Sequence, residues 1–178
     1  MQRFFSVFLF SLFTFSFLLY PNLTFSRTTP EDIINSQKDS YNQKLNNYSP
    51  EKKQKVQEFD KKIAQLNKKQ TTELDAYMVY QSQILDEYVR RNNIQERVSD
   101  GINRNLEDPV ENARYWLTFA HEAVAYQAAK IYIFNLSGEA NIKRDIQNTA
   151  NTLQNDMAVL KNKVIKSEGI LKALVSKE

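Results

Sequence analysis

The stretch YWLTFAHEAVAYQAAKIYIF, Tyr115 to Phe134, holds the only Trp of the chain, Trp116, and its only His, His121, with Glu122 beside it. It reads either as an active site or as the inside of a helical bundle, and helical geometry decides for the bundle. At about 100° per residue, Ala113, Leu117, Ala120, Val124, Ala128 and Ile131 fall on one narrow face. Phe119, Tyr126 and Ile133 fall on a second, nearly opposite face, with Tyr115 beside it and Trp116 on the flank. A helix apolar on two faces is expected to be buried on two sides, which makes this the central helix of the fold. Its small residues let a neighbour approach closely. Asn135 and Gly138 in NLSGE are helix-ending residues, and Ser137 can cap the helix that follows. A loop over 135–138 would make the third and fourth helical segments antiparallel neighbours.

Three helix starts carry the same signature. TTPED places Thr29 before Pro30, YSPEK places Ser49 before Pro50, and EDPVE places Asp108 before Pro109. In each, a side-chain oxygen can accept a free amide hydrogen of the first turn. Proline there has no amide hydrogen to lose, and the following acid meets the positive helix end. The first segment, Pro30 to Tyr48, has only a sparse stripe of Ile34, Tyr41, Leu45 and Tyr48. From Pro50 to Asn93 the stripe runs through Val56, Phe59, Ile63, Leu66, Gln70, Leu74, Tyr77, Gln81, Ile84 and Tyr88. The two steps of four around Gln70 shift the seam as a coiled-coil stutter does, and Gln70 and Gln81 weaken it. About 44 residues at 1.5 Å each give a helix of roughly 65 Å, longer than the third segment can flank as a helix. Ile94, Val98, Ile102 and Leu106 continue at steps of four, as a short helix or bent continuation that turns the chain. From Glu139 to Val175, Ile142, Ile146, Thr149, Leu153, Met157, Leu160 and Val164 form a stripe that skips a turn before Gly169 and resumes at Leu171 and Leu174. No stretch shows the strict alternation of a strand.

The amino terminus has the layout of an export signal. Arg3 supplies positive charge, Phe4 to Tyr20 is apolar apart from Ser and Thr, and Thr24 and Ser26 place small residues before a cleavage point after Ser26. The competing reading is a retained membrane anchor over residues 4–20, a run at the lower length limit for a spanning helix. Either reading puts the remainder outside the cytoplasm. Cysteine is absent, which excludes disulfides, thiolate metal sites, a Cys nucleophile and a lipid anchor on Cys.

Chemistry finds little purchase. His121 and Glu122 are adjacent, so their side chains point about 100° apart and do not converge as a general-base pair would. A single His excludes the zinc-protease helix, and no Glu-x-x-His motif of a di-iron bundle occurs. Three isolated glycines, Gly101, Gly138 and Gly169, exclude a phosphate loop, and no Gly-x-Ser-x-Gly elbow is present. The expectation is no catalytic, cofactor-binding or metal-binding residues and no cofactor. With 24 Lys and Arg against 21 Asp and Glu, the formal net charge of +3 is too small to imply nucleic acid. The local excess of Lys between Glu51 and Lys69 reads as a solvated face or, more sharply, as contact with an anionic envelope polymer or lipid surface.

The fold expected is therefore all-α: an elongated antiparallel helical bundle or coiled-coil hairpin behind an N-terminal signal segment. Residues 1–26 form the signal or anchor, 27–49 a weakly helical linker and 50–178 the bundle. The function expected is that of an exported, non-enzymatic protein acting through protein–protein or cell-envelope contacts, with an extracytoplasmic holdase chaperone as the alternative. Its expected partner, a protein or a second copy, binds the 50–93 helix through a stripe left without an intramolecular cover.

Overall fold

A computed structural model describes residues 29–94 and 106–176. The expected signal segment, 1–26, and most of the expected turn over 92–108 lie outside the described residues. The chain divides into two compact units, one up to Ser36 and one from Gln37 onward, and each is described by itself.

The described residues are all-helical, without a strand. The elements are α1 (Pro30–Asn46), α2 (Pro50–Arg91), α3 (Pro109–Ala129), a 3-10 turn (Glu139–Asn141) and α4 (Ile142–Val175). All three proline-marked starts are helix starts. At the first, Thr29 Oγ1 accepts from the Asp32 amide at 3.2 Å while Asp32 Oδ2 accepts from the Thr29 amide at 2.8 Å, a reciprocal capping box. At the third, Asp108 Oδ1 accepts from the Val110 and Glu111 amides. Ser49 makes no side-chain cap; its own amide instead donates to Glu139 at the far end of the α3–α4 connection.

Within the second unit α2, α3 and α4 pack against one another, and their cross-contacts give the directions. Asp75 meets His121 and Asn67 meets Gln127, so α3 runs antiparallel to α2. Lys166 stands over Trp116 and Lys163 over Phe119, so α3 is antiparallel to α4 as well. Ser167 donates to Gln81, and α2 and α4 are therefore parallel. The core runs along this seam: Val56, Met78 and Leu85 from α2, Ala113, Leu117, Ala120 and Val124 from α3, and Leu153, Leu160, Val164 and Leu171 from α4 are all buried.

The seam on α2 departs from the expected stripe beyond Ile63. The buried positions are Asn67, Thr71, Met78, Gln81, Leu85 and Val89, mostly one residue later than expected, and Leu66 is exposed. Val56, Asn67, Met78 and Val89 recur every eleven residues, close to the natural pitch of a straight helix. Three polar side chains lie in this seam with hydrogen-bond partners, although the Gln81 Nε2 amide is buried without one. Asn67 bonds α3, the Thr71 hydroxyl donates to the Asn67 carbonyl at 2.9 Å, and Gln81 accepts from Ser167 at 3.2 Å. Ser167 also fills the turn that the α4 stripe skips, and α4 continues through Gly169.

The main correction concerns the opening stretch. α3 ends at Ala129, five residues before Phe134, and the chain continues outside helix and strand through residues 130–138, starting extended at Lys130 and with one tight-turn hydrogen bond from the Leu136 amide to the Phe134 carbonyl. Tyr132, Phe134 and Leu136 are buried while Ile131, Asn135 and Ser137 are exposed, an alternation of period two that the helical reading overlooked. Ile131 and Ala128 thus leave the expected core face, and the connection to α4 spans 130–141 rather than 135–138. The composition explains the break. Ile131, Tyr132, Ile133 and Phe134 form a β-branched and aromatic run that loses side-chain freedom in a helix and suits extended backbone. The segment ends at Gly138, whose φ of 141° a residue with a side chain rarely adopts.

Extension also resolves a mismatch of length. From Asn67, beside Lys130, to Ser49, beside Glu139, α2 covers 18 residues, or about 27 Å. The nine steps from 130 to 139 cover roughly 30 Å when extended, against about 14 Å as helix. The amino-terminal half of α2 is therefore covered by its own chain, and Val56 and Ile63 are buried there.

Two outcomes test this arrangement. Phe134→Ala, at 1% exposure, should cost about 3–5 kcal/mol in urea unfolding, whereas Tyr126→Ala, at 77% exposure, should cost less than about 0.5 kcal/mol. Equal losses would return Phe134 to a peripheral helix end. The second concerns Asp156, where burial pushes the carboxyl up but hydrogen bonds from Lys130 and Tyr132, with the Lys130 charge, hold it below its ordinary 3.8. A depressed folded value adds stability that is present above the unfolded value and lost as pH falls through the folded one. Asp156→Asn should cost about 1–3 kcal/mol at pH 7, and its gap from the parent protein should close as the pH is taken below about 4. A gap independent of pH would remove the carboxylate from the account.

Candidate interaction face

Among the described residues nothing covers the second apolar face of α3, which was expected to be buried. Phe119 is 37% exposed and Tyr126 77% exposed, while Tyr115 and Trp116 are half-buried. α2 and α4 both pack on the opposite side, where Ala113, Ala120 and Val124 let them approach, and no third neighbour is described over Phe119 and Tyr126. An exposed set of large aromatics is the informative kind of surface, because soluble proteins usually bury such rings.

The rings are ordered by one another and by α4. Tyr115 and Phe119, one turn apart, stack with centroids 6.3 Å apart and planes 12° apart. Trp116 meets both edge-on, at 5.4 Å from Tyr115 and 5.6 Å from Phe119. Lys163 Nζ lies 4.9 Å from the Phe119 centroid, and Lys166 Nζ lies 3.6 Å from the Trp116 centroid. These are cation–π contacts, with each ammonium held against the negative face of a ring. One turn before Lys163 on the same flank of α4, Val159 is 59% exposed. The result is a surface of aromatic rings and an aliphatic side chain bordered by two fixed cations.

The face is closed at one end by a polar network. Gln127 Nε2 donates to Asn67 Oδ1 at 2.9 Å and to the Tyr132 hydroxyl at 2.6 Å. That hydroxyl donates to Asp156 at 2.6 Å, and Lys130 Nζ lies 2.5 Å from the same carboxylate oxygen. Burial, then the Asp156 carboxylate, pushes the Tyr132 phenol up to about 12, so it remains a donor at every physiological pH. Lys130 is neutralised here, whereas Lys163 and Lys166 face the rings.

His121 and Glu122 lie elsewhere, in a groove of about 360 Å³ between α2 and α3 that Ser82, Asp86 and Arg114 also line. His121 Nε2 is 2.8 Å from Asp75 Oδ1, and both side chains are about half exposed. Such a pair contributes little to stability. Glu122, about 100° around the helix from His121, lines the same groove. Among the described residues no group of three or more His, Asp or Glu is placed to hold a metal ion. A second groove, of about 520 Å³, lies beside the end of α3 and contains Asp60, whose carboxyl burial pushes up.

The helical wheel already separated Phe119 and Tyr126 from the core face. What it missed is that this face is the exposed one, and that Lys163 and Lys166 join it. The sequence signal was their spacing of three on α4, on a flank otherwise poor in charge. Comparison of the chain with protein-family models, curated proteins and solved structures gives no match.

Proposed function

We propose that this is an exported protein that works by contact rather than catalysis, and that the face of Tyr115, Trp116, Phe119 and Tyr126 with Lys163 and Lys166 is its principal contact surface. The observation that carries this reading is the exposure of ordered aromatic rings on a helix whose other face is fully packed. The rings are held before any partner arrives, so little side-chain freedom is lost on binding. An elongated antiparallel bundle suits such a role, and α2 alone, with 42 residues, is about 63 Å long. Export rests on Arg3, the apolar run of residues 4–20 and the Thr24/Ser26 cleavage pattern. Among the described residues no helix is long and apolar enough to cross a membrane. The small net charge remains the argument against nucleic acid.

The 50–93 helix is a second candidate for protein contact or self-association, with Val56 and Ile63 buried in its amino-terminal half and Leu66 exposed. A holdase reading draws on Leu66, Val79 and Tyr80, which stand exposed along α2. Suppression of the aggregation of an unfolded client would favour it, with loss in a Leu66→Ser/Tyr80→Ser variant and none in Tyr126→Ser.

Two outcomes are expected. Amino-terminal sequencing of the exported protein should begin at Arg27, whereas full-length protein recovered with membranes would replace cleavage by anchoring. A photo-crosslinking amino acid in place of Tyr126 should capture envelope components in the host, and one in place of Gln65 on the exposed side of α2 should capture few. Equal capture at both sites would remove the face from the reading.

A further inference from the structure

We infer that the partner of the aromatic–lysine face is an anionic phospholipid surface, with Trp116 and Phe119 at the headgroup level and Lys163 and Lys166 on lipid phosphates. The inference rests on the contact reading above and adds the chemistry of the partner.

The first argument is charge. Lys163 and Lys166 stand on the α4 side of the rings, and among the described residues the carboxylate on that flank, Asp156, is already held by Lys130 and Tyr132. Glu111 and Glu122 lie on the opposite rim, toward α2. The α4 half of the face is thus cationic, and a second copy would set its own lysines against these, so self-association through this half is opposed. An anionic partner is complementary.

The second argument is the disposition of the rings. Carbohydrate is held by stacking on an open aromatic face, yet Lys166 occupies a face of Trp116 and Lys163 a face of Phe119. These two rings offer edges, with the ammonium groups beside them. An indole edge and a phenyl edge next to lysines suit a membrane interface, where the apolar rings enter the acyl boundary while the indole N–H and the ammonium groups stay among headgroups. Val159, exposed on the same flank, adds aliphatic surface at the same level.

The third argument is proximity. An apolar run over residues 4–20, cleaved or retained, brings the chain to a membrane during export. If it is retained, even a weak contact is made effectively intramolecular by the tether. Two lysines and a few rings then suffice for a reversible association governed by lipid charge and salt.

Trp116 is the only Trp in the chain, so its fluorescence reads this face alone. The full chain is reconstituted into vesicles of phosphatidylcholine, or of phosphatidylcholine with roughly one third phosphatidylglycerol. Each composition is prepared with and without lipids brominated near the headgroup. Any anchor is common to both compositions, so the difference isolates the face. The expected result is a blue-shifted Trp116 emission, roughly halved by brominated lipid in the anionic vesicles, little changed in the neutral ones and restored by 0.5 M salt, about a 4 Å screening length. Lys163→Gln/Lys166→Gln should make the two compositions alike, judged against the same variant in neutral vesicles. Equal quenching in both compositions for the unmodified protein, or quenching indifferent to salt, overturns the inference. Capture of envelope polymer at the Tyr126 position together with no response to anionic vesicles would sink the lipid assignment and leave the contact reading standing. Absence of capture would sink the contact reading itself.

Discussion

The fold turns on how α3 is stopped. Its last carbonyls at Gln127 and Lys130 both accept from Asn67 Nδ2, at 3.0 and 3.4 Å, so an asparagine on the neighbouring helix satisfies groups that another helical turn would have taken. Gln127 returns a hydrogen bond to Asn67 and passes another to Tyr132, and Tyr132 with Lys130 closes on Asp156 of α4. Five side chains from three helices and the connection are thereby tied where the backbone changes from helical to extended. A buried network of this kind costs stability if any member is left unpaired, and in return it fixes one register. A slip of α2 by one turn would strand Asn67, and the Gln127 amide would lose one of its two acceptors.

From that stop follows the core of the other half. Because the chain leaves α3 extended, Tyr132, Phe134 and Leu136 point inward between α2 and α4 over a distance that the same residues in a helix would cover by less than half. A second anchor holds the far end of this segment. The buried Asp145 accepts from the Ser137 amide at 2.7 Å and from its hydroxyl at 2.9 Å, with Arg144 alongside. The extended segment is therefore pinned by a carboxylate of α4 at each end, Asp156 and Asp145, with three large side chains buried between them. Both carboxylates border the largely apolar buried stripe of the helix, so α4 supplies polar anchors as well as packing surface.

Much of this was legible in the sequence. The three Ser/Thr/Asp-Pro starts were readable because capping is local chemistry, and the α4 stripe because its apolar side chains recur at steps of three and four over most of its length. The face of Ala113, Leu117, Ala120 and Val124 was readable for the same reason. The end of α3 was harder to see, since no Pro or Gly marks it and the residues that stop it, Asn67 and Asp156, are distant in sequence. The β-branched run from Ile131 to Phe134 was the available local signal, and it conflicted with a helical periodicity that happens to persist through Ile131 and Ile133. The seam of α2 was misplaced beyond Ile63 because Asn67, Thr71 and Gln81 are polar, and polarity predicts exposure unless a partner is known. The contact face was half legible: its rings were placed together, but their lysines come from another helix.

Whether an aromatic face is a structural remnant or a surface kept for use can be argued from its order. Rings left merely uncovered would be free to rotate, and their exposure would be a liability for aggregation. Here Tyr115 stacks on Phe119, Trp116 meets both edge-on, and Lys163 and Lys166 stand over the rings. The lysines do two things at once. They hold the rings in place, and they set charge against the approach of a second copy through the same flank, which is one way exposed apolar surface is tolerated. An ammonium already seated on a ring also gives up less freedom when a phosphate takes its outer side. The features that keep this face quiet in isolation are therefore the same ones on which the proposed anionic partner rests.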